Sequence, residues 1–149
     1  FYNFGQANES GHQREEWYDT STGAAHGVMI PMQNALFRRT SHNYAGYNMN
    51  IPDQYRMDQF ETEFTKKWIN GDEEMPPLVT VMIPNDHGAG IRPEDGYPYP
   101  HSFMVDNDLA VGRILHFLSR TKYWKENDRR KTQKARILID AYVVFNHPI

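Results

Sequence analysis

The stretch Leu78-Val-Thr-Val-Met-Ile-Pro-Asn-Asp-His-Gly-Ala-Gly90 decides the reading of this chain. Leu78 to Ile83 is an apolar-rich run of strand length, and its continuity predicts an interior strand covered on both faces. Pro84 ends it, and a carboxylate, an imidazole and two glycines follow at once. In open α/β sheets chemistry collects beyond the carboxyl ends of the strands. Asp86 and His87 therefore stand where a site is expected, offering a hard oxygen and a borderline nitrogen of the kind a Zn, Mn or Fe site uses. From spacing alone a second reading fits as well: Asp86 caps backbone amides in a tight turn and His87 is simply exposed. Gly88 and Gly90 open backbone conformations closed to other residues, and successive amides in such a turn can face an anion. Asn85, Gly88 and Gly90 are on that ground the candidate substrate contacts.

Outward from this stretch the pattern is that of a β/α unit. Before it, Met57, Phe60, Phe64 and Trp68 recur every three or four residues among charged ones, predicting an amphipathic helix over 53–70. Asp53 is the expected N-cap and Gly71 the expected stop. Pro76-Pro77 then forces a fresh start for the strand. After it, residues 84–103 read as a structured loop, and Asp106 is expected to cap a helix whose apolar face is Leu109, Val111, Ile114, Leu115 and Leu118. Ile137-Leu-Ile139 and Tyr142-Val-Val-Phe145 read as one or two further strands. The first fifty residues show no sustained helical or alternating pattern, which predicts a long irregular region draped over the scaffold. The fold class expected is α/β, a sheet flanked by helices.

Composition bounds the function. With 149 residues the chain holds one core, and a net charge of −3 provides no global attraction for nucleic acid or an anionic membrane. No long apolar run is present for membrane insertion. Cysteine is absent, excluding disulfides and thiolate metal sites. Asp106 and Asp108 do not make a calcium loop, because Val111 stands where that loop needs glycine. Tyr97, Tyr99, Phe103 and His101 make either a binding wall or a stiff extended loop, and the structural reading is favoured. Thr40, Ser41 and Ser102 have no base adjacent in sequence, so no catalytic nucleophile is assigned.

Ile83-Pro-Asn-Asp-His-Gly88, Val105-Asp-Asn-Asp-Leu-Ala-Val-Gly-Arg-Ile-Leu115 and Lys122-Tyr-Trp-Lys125 together resemble the bacterial phosphoesterase family of the alkaline phosphatase superfamily. Phe4-Gly5, His26-Gly27, Phe37-Arg-Arg-Thr40 and Tyr47-Asn-Met-Asn-Ile-Pro-Asp-Gln54 extend the likeness over residues 1–126. The resemblance implies part of an alkaline-phosphatase-like sheet and metal-dependent hydrolysis of phosphate esters. It also implies a divalent metal such as Zn or Mn, and an extracytoplasmic location. Asp86 is implied as a ligand of one of two catalytic metals. Many relatives place a His four residues after that Asp, where this chain has Gly90, so His87 is the weaker of the two metal ligands. The family's nucleophile and first carboxylate, its Glu-Asp-Asp cluster and its Asp-His-x-Asp-Ala-His motif are not found intact, and Ile139-Asp-Ala141 is at most a remnant. The expectation is a partial domain over 1–126 with a divergent tail over 127–149. Its catalysis would be incomplete without the rest of such a domain or an oligomer partner. The rival expectation is a non-catalytic binding or structural module on the same fold.

Overall fold

A computed structural model describes residues 1–5, 11–18, 25–31, 34–125 and 136–140. Its centre is β4 (Leu78–Met82), flanked by β1 (Tyr2–Phe4) on one side and β5 (Arg136–Asp140) on the other, both parallel to it. Val79 pairs with Tyr2 and Ile137, and Val81 with Phe4 and Ile139. The interior position expected for β4 is what is found. Val79, Val81 and the following Ile83 are fully buried on one face, whereas Leu78, Thr80 and Met82 on the other are only partly covered. The run is thus half-covered on one side rather than sealed on both. The expected strand at 137–139 is present in β5, so the described part of the C-terminal stretch joins the same sheet; the run 142–145 lies outside the described residues.

The helix expected over 53–70 forms as α2 (Asp53–Phe64) continued by a wider π turn, Thr65–Ile69. Met57, Phe60, Phe64 and Trp68 are all buried, as their spacing required. The aromatic rings among them pack edge-to-face with each other and with β1: Phe4 to Phe60 at 5.0 Å, Phe64 to Trp68 at 4.9 Å and Tyr2 to Trp68 at 5.3 Å. Gly71 ends the segment through close approach. A Cβ there would lie 2.5 Å from the Lys67 carbonyl oxygen and 2.6 Å from that of Lys66.

Three expectations need correction. The N-terminal region is not irregular throughout: β2 (Gly11–Tyr18) and β3 (Ala25–Pro31) pair antiparallel, with a register shift between Gln13 and Glu16. A short helix α1 (Asn34–Phe37) follows. The second long helix, α3 (His101–Ser119), begins five residues before Asp106, so Asp106 cannot cap it. Its buried face is Phe103, Asn107, Ala110, Ile114 and Leu118, and Leu109 and Leu115 are exposed instead. Once Phe103 is driven into the core, the 3.6-residue repeat carries 107, 110, 114 and 118 inward with it and turns 109 and 115 out. A final turn, α4 (Lys122–Lys125), is tied back by the Tyr123 hydroxyl donating to the Trp68 carbonyl at 2.7 Å.

α2 and α3 lie together on the Val79/Val81 face and share one core with β1 and β4. The arrangement is α/β, with helices packed on a small parallel sheet. Among the described residues no helix is long and apolar enough to cross a membrane.

Two substitutions test this packing by chemical denaturation. Phe64→Ala, in the middle of the aromatic stack, is expected to cost about 3–5 kcal/mol of unfolding free energy. Gly71→Ala is expected to cost about 1–3 kcal/mol, because the methyl group meets backbone rather than a side chain that can swing away. An unchanged midpoint for Gly71→Ala would contradict the close-approach account of the helix stop.

Candidate functional site

Beyond β4 the chain turns through a single 3₁₀ turn, Pro84–His87, and Gly88 leaves it at φ 67°, a left-handed value that suits glycine. This turn carries every site residue expected from the sequence except Gly90. The Asp86 carboxylate is almost buried, at 6% exposure, while the His87 side chain is 47% exposed. Asp86 Oδ1 lies 3.3 Å from His87 Nδ1. The two side chains expected as metal ligands are therefore in contact with each other on this turn.

Asn85 and Gly88, expected as substrate contacts, both make hydrogen bonds within the protein. Asn85 is wholly buried. Its backbone N–H donates to Asp53 Oδ2 at 3.1 Å, and its side-chain amide donates to Asp106 Oδ2 at 2.6 Å and to the Tyr97 hydroxyl oxygen at 3.3 Å. The Gly88 N–H is taken by the Asn85 carbonyl at 3.0 Å, closing the turn. Asn85 thus anchors the turn, and Gly88 closes it. Gly90 is exposed, with open space where a Cβ would go.

Beneath the turn lies a polar cluster that sequence reading did not find. Arg56 is fully buried and all of its N–H groups are used. Nη1 donates to Asp53 Oδ1 at 2.9 Å and the Ile51 carbonyl at 2.7 Å, Nη2 to the carbonyls of Gly46 at 2.7 Å and Asn48 at 2.9 Å, and Nε to that of Ala45 at 3.3 Å. Asp53, also fully buried, accepts in addition from Asn107 Nδ2 at 3.0 Å, and the same amide donates to the Ile83 carbonyl at 2.6 Å. Asp53 is the first residue of α2 and not its cap. The α2 N-terminus is capped from across the fold instead: Asp106 Oδ2 accepts from the Asp53 N–H at 2.7 Å, and Gln54 Nε2 donates to Asp106 Oδ1 at 3.0 Å. Two carboxylates and one guanidinium thus knit the starts of α2, the site turn and α3 together. The one orphan among these groups is the buried Asn85 Oδ1.

Of the aromatic cluster, Tyr97 and Phe103 are buried and stack at 4.1 Å with planes 11° apart beneath the Arg92 guanidinium, whereas Tyr99 and His101 are exposed. Burial raises the Tyr97 hydroxyl above the ordinary tyrosine range, with the Asp106 carboxylate adding to it, so it stays a donor to Asp106 at 3.1 Å. Ser41 has gained a carboxylate neighbour that the sequence did not reveal: its hydroxyl donates to Glu63 Oε2 at 2.5 Å. Ser41 is itself buried and accepts from the Tyr44 N–H at 3.1 Å, the geometry of a turn-closing serine. A groove of about 610 Å³ lies towards the start of β1, lined by Tyr2, Arg38, Glu63 and Lys66 among others, and includes neither Asp86 nor His87.

Asp86 and His87 have the donor chemistry for a divalent ion, but they are two donors where a catalytic zinc takes three from protein. Among the described residues no group of three or more His, Cys, Asp or Glu side chains is placed to hold a metal. No protein-family model, curated protein or solved structure matches the chain.

Burial pushes the Asp53 carboxyl up to about 6, while Arg56, Asn107 and the Asn85 amide pull the other way. The unfolded value is about 3.9, so the folded chain holds this proton more tightly. The resulting contribution to stability is fully present below the unfolded value and is lost as pH rises through 6. A carboxyl ¹³C titration is expected to show Asp53 with a midpoint near 6. In Arg56→Met that midpoint should move higher still, and the variant should lose about 3–5 kcal/mol, the usual cost of breaking a buried pair from one side. An Asp53 midpoint near 4 in the wild type would contradict this account of the cluster.

Proposed function

We propose that this chain is a phosphoesterase-like domain of the alkaline phosphatase superfamily type, with its metal-binding corner at Asp86 and His87. The observation that carries the reading is the Asp86 to His87 contact of 3.3 Å on a turn directly beyond the carboxyl end of the central parallel strand. That is where an α/β sheet places its chemistry. The sequence blocks Ile83–Gly88 and Val105–Leu115, which prompted the family resemblance, also meet here: Asn85 from the first hydrogen-bonds Asp106 from the second.

In this reading Asp86 and His87 would be the chain's own two ligands for a divalent ion such as Zn or Mn. Such an ion, when bound, polarises a phosphate ester and activates an attacking hydroxyl. The chain's own part is to hold the imidazole at the edge of the sheet, on a turn whose backbone is pinned to Asp53. The remaining ligands and the nucleophile would be contributed from outside the described residues, by the remainder of such a domain or by an oligomer partner. A second reading, a non-catalytic module on the same fold, draws on the missing third ligand among the described residues.

Metal titration of the purified chain and of Asp86→Ala, followed by an assay on a generic aryl phosphate, separates the two. The phosphoesterase reading expects Zn or Mn binding that weakens about 10- to 100-fold in Asp86→Ala, with helicity retained. Turnover is expected to be slight even with metal, because catalytic groups of this kind act as a set. Absence of binding in the wild type, or equal binding in Asp86→Ala, would favour the module and overturn the phosphoesterase reading.

A further inference from the structure

We infer that the outer face of α3 is an interface between two copies of this chain, packed as an antiparallel pair of helices that cross at Gly112. The inference is independent of Asp86 and His87. On α3 the positions Phe103, Asn107, Ala110, Ile114 and Leu118 are turned into the protein. Arg113, on the flank, is tied to Asp58 and Glu61 of α2 at 2.7 and 3.0 Å. The opposite face is apolar where a solvated helix carries polar residues: Met104, Val105, Leu109 and Leu115 are between 44% and 66% exposed. Single exposed apolar residues are ordinary, but four gathered on one helix face mark a contact surface.

Gly112 lies at the centre of this face, exposed, with open space within 4 Å of where a Cβ would stand. Glycine inside a helix weakens it relative to alanine, so an open position gains nothing from it unless a second backbone approaches there. Residues four apart form a ridge along a helix, and here the exposed ridge runs Met104, Asp108, Gly112, His116, Arg120. Gly112 is its midpoint, with an acid on one side and two bases on the other. When two such ridges meet antiparallel, at the crossing angle of about −50° usual for this row, position 108 of each copy faces position 116 of the other. Asp108 then meets an imidazole that can donate to it, and the twofold axis repeats the pair. A parallel arrangement would set Asp108 against its own copy. Val105 and Leu109 on one flank of the ridge, and Leu115 on the other, come together with their counterparts beside the crossing. One helix face is at the low end of the area that specific interfaces bury, so the dimer forms in the micromolar range.

Sedimentation velocity of the full chain, from low micromolar to about 1 mM, tests this on the wild type and three variants. The wild type is expected to pass from monomer to dimer across the range. Asp108→Arg sets cation against cation at both ends of the crossing and is expected to weaken the dimer about tenfold, and adding His116→Glu to it should restore the wild-type affinity. Gly112→Ala is expected to raise the thermal midpoint of the dilute monomer while weakening the dimer about fivefold or more. Those opposite signs separate a contact role from a folding role. A variant that failed to fold would show as lost helicity in circular dichroism, and if Asp108→Arg did so the two Gly112→Ala readings still decide. Monomer at every concentration would leave this face to some other partner and overturns the inference. So does a dimer that neither Asp108→Arg nor Gly112→Ala weakens, or a weakening by folded Asp108→Arg that His116→Glu does not reverse.

Discussion

The buried pair Arg56 and Asp53 is the interaction on which the rest of the structure depends. A guanidinium with no exposed surface survives only if each of its N–H groups finds an acceptor, and here four backbone carbonyls and one carboxylate do so. That requirement fixes the path of residues 45–51. The carboxylate must in turn be satisfied, which draws in the Asn85 amide and the Asn107 side chain. The site turn is consequently not a loose excursion from the end of β4. It is built onto the starts of two helices by groups that would be costly to leave unpaired.

This arrangement divides labour among the residues of the turn. Asn85 faces inward and is consumed by anchoring, the Asp86 carboxylate lies just beneath the surface against His87, and the His87 side chain is about half exposed. The turn keeps its geometry through these supporting hydrogen bonds. The aromatic stack of Phe4, Phe60, Phe64 and Trp68 supplies the apolar counterpart, tying β1 to α2 further back along the sheet.

Much of the scaffold was legible in the sequence because periodicity reports burial. The run Leu78–Ile83 and the spacing of Met57, Phe60, Phe64 and Trp68 led directly to β4 and α2. Where periodicity was absent or had competing solutions, reading failed. The segment Gly11-His-Gln-Arg-Glu-Glu-Trp-Tyr18 has no apolar alternation, so β2 gave no signal of pairing. In α3, two leucines outbid Asn107 and Ala110 for the inward face on hydrophobicity alone. The deciding factors were long-range: the aromatic pair Tyr97 and Phe103, and the hydrogen bonds of Asn107. The polar cluster was hidden for the same reason. Asp53 and Arg56, three apart, look like an ordinary exposed helical pair, and only the burial of their carbonyl and amide partners reveals otherwise. Asp86 and His87 were legible as neighbours, but their difference in burial was not, since that depends on the turn's geometry.

The central claim, that the turn beyond β4 is a metal-binding corner, is tested most directly by Mn²⁺ titration followed in ¹H–¹⁵N NMR spectra. Paramagnetic broadening falls off steeply with distance from the ion. The account predicts that amides of Asp86, His87, Gly88 and the facing Tyr47 broaden first, while those around Lys66 and Gly71 towards the other end of the sheet stay sharp. Uniform broadening, or broadening centred on Asp72 and Glu73, would contradict it.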